Sequence, residues 1–190
     1  MEKSDLRQYI RQLKHTVAPE QLCDYSKQLA TMLEAHPWFR EATHVMLFAS
    51  LPDEPDTRYI LEKYAATKRL YLPAVVGEDI EVRPYRATST MEVGPYAISQ
   101  PLSETLTDLT CLELIVTPGV AFDRQGHRLG RGRGYYDRLF ARPDVQARRL
   151  GYAFPFQIVD NVPAHVHDIP MHDVLIIDQS SPTTIQPKEA

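Results

Sequence analysis

The sequence predicts an α/β fold with a largely parallel sheet, and three observations carry that prediction. Short apolar runs rich in β-branched residues, such as Leu114-Ile115-Val116, have the length and composition of buried strands. Segments with apolar residues at helical spacing alternate with them, the order that builds a parallel sheet from crossover units. The apolar and charged fractions, 43% and 24%, are those of an ordinary globular chain, and 190 residues suffice for one domain with a sizeable core. We therefore read residues 1–190 as a single domain, with helices over 1–36 at its N-terminal end.

Ser4 is a suitable cap for a first helix from Asp5 to about His15, with Leu6, Ile10 and Leu13 on one face. Lys3 and Arg7 lie one turn apart and share a side, which on spacing alone fits a solvated basic face. Pro19 opens a second helix, whose stripe of Leu22, Tyr25, Leu29 and Leu33 reads as core, and His36-Pro37 ends it. His44 to Ala49 reads as a buried strand. The acidic loop Ser50 to Thr57 follows and leads into a helix from about Arg58 to Ala66. Loops at the carboxyl ends of strands are where open α/β sheets hold ligands, so Glu54 is a candidate acceptor for a polar ring. Alternatively Asp53, Glu54 and Asp56 favour the helix N-terminus by charge. Arg69 to Pro73 is a short strand, Ile80 to Tyr85 alternates like a half-exposed one, and Arg86 to Thr110 is a connection with little periodicity.

The stretch from Leu114 to Leu139 organises the rest. Pro118-Gly119 stops the strand, and Gly126, Gly130, Gly132 and Gly134 follow with Arg124, Arg128, Arg131 and Arg133 among them. Tyr135 then starts a helix to about Ala141. Glycine lets backbone N–H groups come close to a ligand, and guanidinium forks suit phosphate oxygens. The stretch is a polyanion cradle in its chemistry. It is not a Walker A loop, because no Gly-Lys-Ser/Thr occurs. It is not a dinucleotide fingerprint, because the spacing is G-x-G-x-G, about a dozen residues past the strand.

Arg149 to Ala153 and Val174 to Ile177 read as further strands, and Ser180 to Ala190 as a loose tail. Phe154 and Phe156 suit either a flat-ring pocket or the core. His165, His167, His172, Asp168 and Asp173 cluster in sequence, but not at the spacing of a closed zinc set. Cys23 and Cys111 form no disulfide framework or metal-ligand spacing, as suits a reducing compartment. A formal net charge of −4 gives no bulk attraction to nucleic acid or an acidic membrane. Without an apolar run of spanning length or a signal-peptide core, a soluble cytoplasmic protein is expected, and we expect it to be a monomer.

The central stretch closely resembles the signature of the 5-formyltetrahydrofolate cyclo-ligase (methenyltetrahydrofolate synthetase) family. That signature, PGxAFDxxGxRLGxGxGYYDR, is matched from Pro118-Gly119 through Asp123, Gly126 and Arg128 to Tyr135-Tyr136-Asp137-Arg138. The resemblance implies a three-layer α/β/α sandwich and an ATP- and magnesium-dependent conversion of 5-formyltetrahydrofolate to 5,10-methenyltetrahydrofolate. It also implies roles. Lys3, Arg7, Arg128, Gly130, Arg131, Gly132, Arg133, Gly134 and Tyr135 would contact ATP, with Arg131 and Arg133 on the transferring phosphate. Ala49, Glu54, Tyr136 and Gln157 would hold the folate, Ser50 and Thr57 completing the Glu54 element. Asp137 and Asp168 would share Mg²⁺, with Asp173 as the neighbouring candidate. Both tyrosines also suit helix-start core positions. Two departures stand out: Gln100 occupies a position where an acid is common, and Arg133 one where some relatives carry Lys. A folate-binding module without turnover, an ATP-dependent ligase for another amide-bearing heterocycle, and a Gly/Arg-loop nucleic-acid binder are the other readings of the same residues.

Overall fold

A computed structural model describes residues 1–178; the tail read at 180–190 lies outside the described residues. The main sheet is built from β1 (His44–Met46), β2 (Arg69–Val76), β3 (Asp79–Tyr85), β6 (Leu114–Thr117), β9 (Arg148–Tyr152) and β10 (Asp173–Leu175). Its strand order is β10-β9-β6-β1-β2-β3. Every pairing is parallel except that of β2 with β3, a hairpin through Gly77 that adds an antiparallel edge. The largely parallel expectation holds for the rest.

Period-2 alternation sorts the strand residues between two cores. Val45, Leu70, Leu72, Leu114, Val116, Leu150 and Tyr152 face helices α2 (Pro19–Ala35), α3 (Pro37–Glu41) and α4 (Arg58–Tyr64). Met46, Tyr71, Ile115 and Val174 face the other way, onto Phe122 and onto Leu139 and Phe140 of α5 (Tyr135–Phe140). Helices on both faces make the three layers. Helix α1 (Lys3–His15) stands apart, laying Leu6 and Ile10 against Ala121, Leu129 and Val162 to form a small third core.

Several local readings need correction. Helix α1 begins two residues before Asp5, and its N-cap is Glu2, not Ser4. Asp5 is the reason: its carboxylate accepts from the Glu2 N–H at 3.3 Å while Glu2 caps in return. The first strand pairs only over His44–Met46, after which Leu47 donates one more bond, to the Tyr71 carbonyl. The connection Arg86–Thr110 contains a hairpin of β4 (Met91–Val93) and β5 (Ser99–Pro101), and the glycine stretch contains a second, β7 (Ala121–Phe122) with β8 (Arg128–Leu129). Strands this short, interrupted by Pro and Gly, carry too little alternation to show in sequence.

Candidate active site

The chain leaves the centre of the sheet in two directions. From β1 it goes on to β2 and β3; from β6 it goes on to β9 and β10. The loops after β1 and β6 therefore diverge at a topological switch point, where such sheets form a crevice. A cavity of about 330 Å³ lies there. Phe48 and Ala49 come from the end of β1, Pro73, Val75 and Ile80 from the β2–β3 hairpin, and Pro118 and Gly119 from the end of β6. Tyr96 and Ile98 reach in from the β4–β5 hairpin, and the arc from Arg128 to Asp137 closes the remaining side.

The loop after β1 is built to present Glu54. Ser50 Oγ donates to the Pro55 carbonyl at 2.8 Å and accepts from Thr57 N at 2.9 Å, while Thr57 Oγ1 donates to the Phe48 carbonyl at 2.6 Å. These bonds fold the loop back on its own strand. Leu51 N then donates to Glu54 Oε2 at 3.0 Å, which fixes the carboxylate over the cavity. Asp56 alone serves the helix that follows, accepting from Arg58 N at 2.8 Å. Asp53 and Glu54 instead face Arg131, whose Nη2 lies 2.7 Å from Asp53 Oδ1 and 3.0 Å from Glu54 Oε1. Burial pushes the Asp53 carboxyl up, but Arg131 and Lys14 outweigh it and hold it below the usual carboxylate range.

The glycine arc is positioned from behind. Asp123, fully buried, accepts from Gln125 N, His127 N and Val162 N at 2.9–3.0 Å, and from the His127 ring at 2.9 Å. Gly126 turns the chain with φ +89°, and its carbonyl accepts from Met171 N at 2.7 Å. A Cβ there would lie 2.4 Å from the Met171 carbonyl oxygen, so only glycine fits. Arg7 Nε donates to the Gly130 carbonyl at 2.9 Å, tying α1 to the arc. Arg128 is buried, pairs with Asp137 at 3.1 Å, and lies 5.4 Å over the Tyr136 ring. The Tyr136 hydroxyl is buried with no hydrogen-bond partner. Burial, reinforced by Glu54, pushes its pKa far above the usual phenol range despite the opposing Arg128. The Tyr136 ring lines the cavity, so its hydroxyl is within reach of a donor or acceptor bound there.

Ten of the residues expected from sequence line this cavity: Ala49, Glu54, Arg128, Gly130, Arg131, Arg133, Gly134, Tyr135, Tyr136 and Asp137. Five do not. Gly132 and Arg7 lie against each other behind the arc. Lys3 is ion-paired with Asp168. Asp168 also accepts from His165 N, and Lys3 and that N–H pull its carboxyl below the usual range against burial, which pushes it up. Gln157 is buried and spans two backbones, accepting from Phe154 N at 2.8 Å and donating to the Gly119 carbonyl at 2.8 Å. It shapes the cavity from behind Gly119 without lining it.

For a magnesium ion, the relevant fact is that Ile169 N donates to Asp137 Oδ1 at 3.4 Å, which brings the segment of Asp168 beside Asp137. Carboxylates are the ligand type a hard cation takes, but here Asp137 is paired with Arg128 and Asp168 with Lys3, so a cation would have to displace those partners. Among the described residues, no three His, Cys, Asp or Glu side chains converge as a metal cage. Asp173 pairs with His36 at 3.4 Å, and His172 Nδ1 accepts from Arg149 N at 3.0 Å.

Sequence reasoning passed over Tyr96 and noted Gln100 only as a departure, with no role. Tyr96 and Ala97 both have φ near +60°, a left-handed turn that swings the Tyr96 ring to within 5.8 Å of the Arg133 guanidinium. Gln100 is buried; its Oε1 accepts from Val75 N at 3.1 Å and its Nε2 donates to Glu92 at 2.9 Å. It pins the hairpin that carries Tyr96 to the wall of the cavity. An amide serves both contacts, accepting from Val75 N and donating to Glu92, which a carboxylate could not do.

The model of the 5-formyltetrahydrofolate cyclo-ligase family matches residues 1–177. The chain is 32% identical over 173 residues to the 5-formyltetrahydrofolate cyclo-ligase of Escherichia coli K12, covering 87% of this chain and 95% of that one. It is 28% identical over 190 residues to the mouse enzyme of the same name, covering 93% and 94%. The solved structure of Aquifex aeolicus 5,10-methenyltetrahydrofolate synthetase superimposes with a TM-score of 0.81 at 30% identity, over 92% of this chain and 89% of that one. With the matched span running from the first helix to the last strand, the chain belongs to the 5-formyltetrahydrofolate cyclo-ligase family.

Proposed function

We propose that the protein converts 5-formyltetrahydrofolate to 5,10-methenyltetrahydrofolate, consuming ATP in the presence of Mg²⁺ and releasing ADP and phosphate. One observation supports this reading above the others. A single cavity is lined by a carboxylate, Glu54, an unpartnered phenol, Tyr136, and the guanidinium groups of Arg128, Arg131 and Arg133. A folate ring carries donors for the first pair, and a triphosphate carries oxygens for the second set.

The chemistry requires both ends. An amide oxygen is a poor leaving group, so it must be converted to a better one. The formyl oxygen attacks the γ-phosphorus, forming a P–O bond as ADP departs with the electrons of the bond it leaves. The product is an iminophosphate. N10 then attacks the activated carbon, loses its proton, and inorganic phosphate leaves with the original formyl oxygen. Arg131 and Arg133 hold the transferring phosphoryl group and offset its charge, and such a transfer depends mainly on positioning. Glu54 and Tyr136 anchor the ring so that the formyl oxygen points at the arc, with Ala49 as the wall beside it. Gly130, Gly134 and Tyr135 frame the phosphate end. Lys3 and Arg7 of α1 back that end, Arg7 against Gly132 of the arc, and Gln157 holds Gly119 in place. Asp137 and Asp168 would hold Mg²⁺, which when bound neutralises phosphate charge.

No helix among the described residues is long and apolar enough to cross a membrane, and we place the working protein in the cytoplasm as a monomer, which light scattering tests. The activity is tested by absorbance in the methenyl-folate band, with 5-formyltetrahydrofolate and Mg²⁺, with and without ATP. We expect a rise that requires ATP and falls about 10²- to 10³-fold in rate in Arg131→Ala, the scale of losing one charge-stabilising donor. Folate binding with no rise and no ADP formed would overturn turnover and leave a sequestering module.

A further inference from the structure

Arg131 is the guanidinium of the arc that the structure holds against two carboxylates at once. Its Nη2 meets Asp53 and Glu54, and its Nε lies 3.3 Å from Glu54 Oε1. Asp53 is in turn approached by Lys14 of α1 at 3.7 Å. The Glu54 side chain is only 10% exposed, whereas that of Arg131 is 50% exposed and ends a flexible stem. The same ion pair therefore ties together the group proposed to read the folate ring and the group proposed to hold the phosphate. Neither can bind its ligand fully while bonded to the other.

We infer that Asp53 is a positioning residue that parks Arg131 across the cavity on Glu54, so that the ring end and the phosphate end of the site are energetically coupled. This rests on the folate and ATP reading above. A folate ring that takes the Glu54 carboxylate releases Arg131 toward the phosphate end. A triphosphate that draws Arg131 away frees Glu54 for the ring. Whichever ligand binds first meets the cost of opening the pair, and the second does not, which is positive coupling between two sites. Because the pair is partly solvated, its strength is that of a good surface ion pair, which sets the coupling at about three- to five-fold in affinity. Asp53 contributes by adding a second charge against which the phosphate must compete, without touching the ring itself.

The test is a binding cycle by calorimetry on the intact protein with 5-formyltetrahydrofolate and a non-hydrolysable ATP analogue with Mg²⁺, each alone and in the presence of the other. The variant is Asp53→Asn, which keeps the shape of the loop and removes one charge. In the unaltered protein we expect the analogue to bind about three- to five-fold more tightly once folate is present. In Asp53→Asn we expect the analogue alone to bind about three-fold more tightly than before, and the folate effect to shrink below about two-fold. The coupling should also weaken between low and high salt, as an ion pair does and a packing effect does not. Two ligands that bind independently in the unaltered protein, or an Asp53→Asn variant with unchanged or weaker analogue affinity, would overturn the latch and leave the folate reading intact. A folded protein that binds neither ligand would overturn both.

Discussion

Replacing Asp123 should cost more stability than replacing any arginine of the cavity, although Asp123 touches no part of it. Its carboxylate is fully buried and accepts four hydrogen bonds, three from backbone N–H groups and one from the His127 ring. In Asp123→Ala the Val162 N–H loses its partner in a buried setting, which costs about 1–3 kcal/mol. The N–H groups of Gln125 and His127 lie nearer water and lose about 0.5–1.5 kcal/mol each, for a total of about 4 kcal/mol. Asp123→Asn keeps one carbonyl oxygen for Gln125 and His127 but turns an NH₂ toward Val162 N, and should cost about 2–3 kcal/mol. Burial pushes the Asp123 carboxyl up, yet the bonds from Val162 and His127 outweigh it, so it titrates below the ordinary range. A depressed pKa contributes stability that is complete above the unfolded-state value of about 4 and is lost as pH falls through the folded one. The penalty of the Asn variant should therefore be full at neutral pH and shrink in acid. Urea unfolding followed by the fluorescence of Trp38, the one tryptophan, measures this at both pH values. An Asn variant within about 1 kcal/mol of the parent at neutral pH, or a penalty that does not shrink in acid, would refute the reasoning.

Two further variants probe the cavity. Gln100→Glu replaces the donor to Glu92 with a like charge; we expect a loss of about 1–2 kcal/mol in urea unfolding and a raised KM for folate as the Tyr96 hairpin loosens. Tyr136→Phe removes a hydroxyl that has no partner in the protein. We expect unchanged or slightly raised thermal stability but about two- to ten-fold weaker folate binding by calorimetry, because only the ligand meets that hydroxyl; a clear drop in Tm with unchanged affinity would show that it serves the fold instead.

The central strands were legible in sequence because burial on both faces selects continuous apolar, β-branched runs, as at Leu114-Ile115-Val116. The arc was legible because its glycines and arginines are dense and contiguous. What escaped depends on partners distant in the chain. Lys3 and Asp168 share a side-chain hydrogen bond across 165 positions, and no local pattern announces it. The Glu54 loop was read as ligand-facing or helix-favouring, and its side chains are divided instead: Asp56 serves the helix, and Asp53 and Glu54 bond Arg131 at the cavity. Tyr96 was invisible because a left-handed turn at two ordinary residues, rather than any alternation, aims its ring.

The strand order has a consequence for how the chain is made. Glu54 and Arg131 are 77 positions apart, and the strands that carry their loops, β1 and β6, are neighbours in the sheet. While the ribosome has delivered only the first hundred residues, β1 has β2 on one side and a bare row of backbone donors and acceptors on the other. That bare side is the future middle of the sheet, and nothing built by then is meant to cover it. A nascent chain in this condition offers a template for pairing with another copy of itself. The insertion of β6 closes that edge and brings the arginine arc up to the waiting carboxylates, so completion of the cavity and the covering of β1 are the same event in biosynthesis, and the exposed edge passes to β6 until β9 pairs with it.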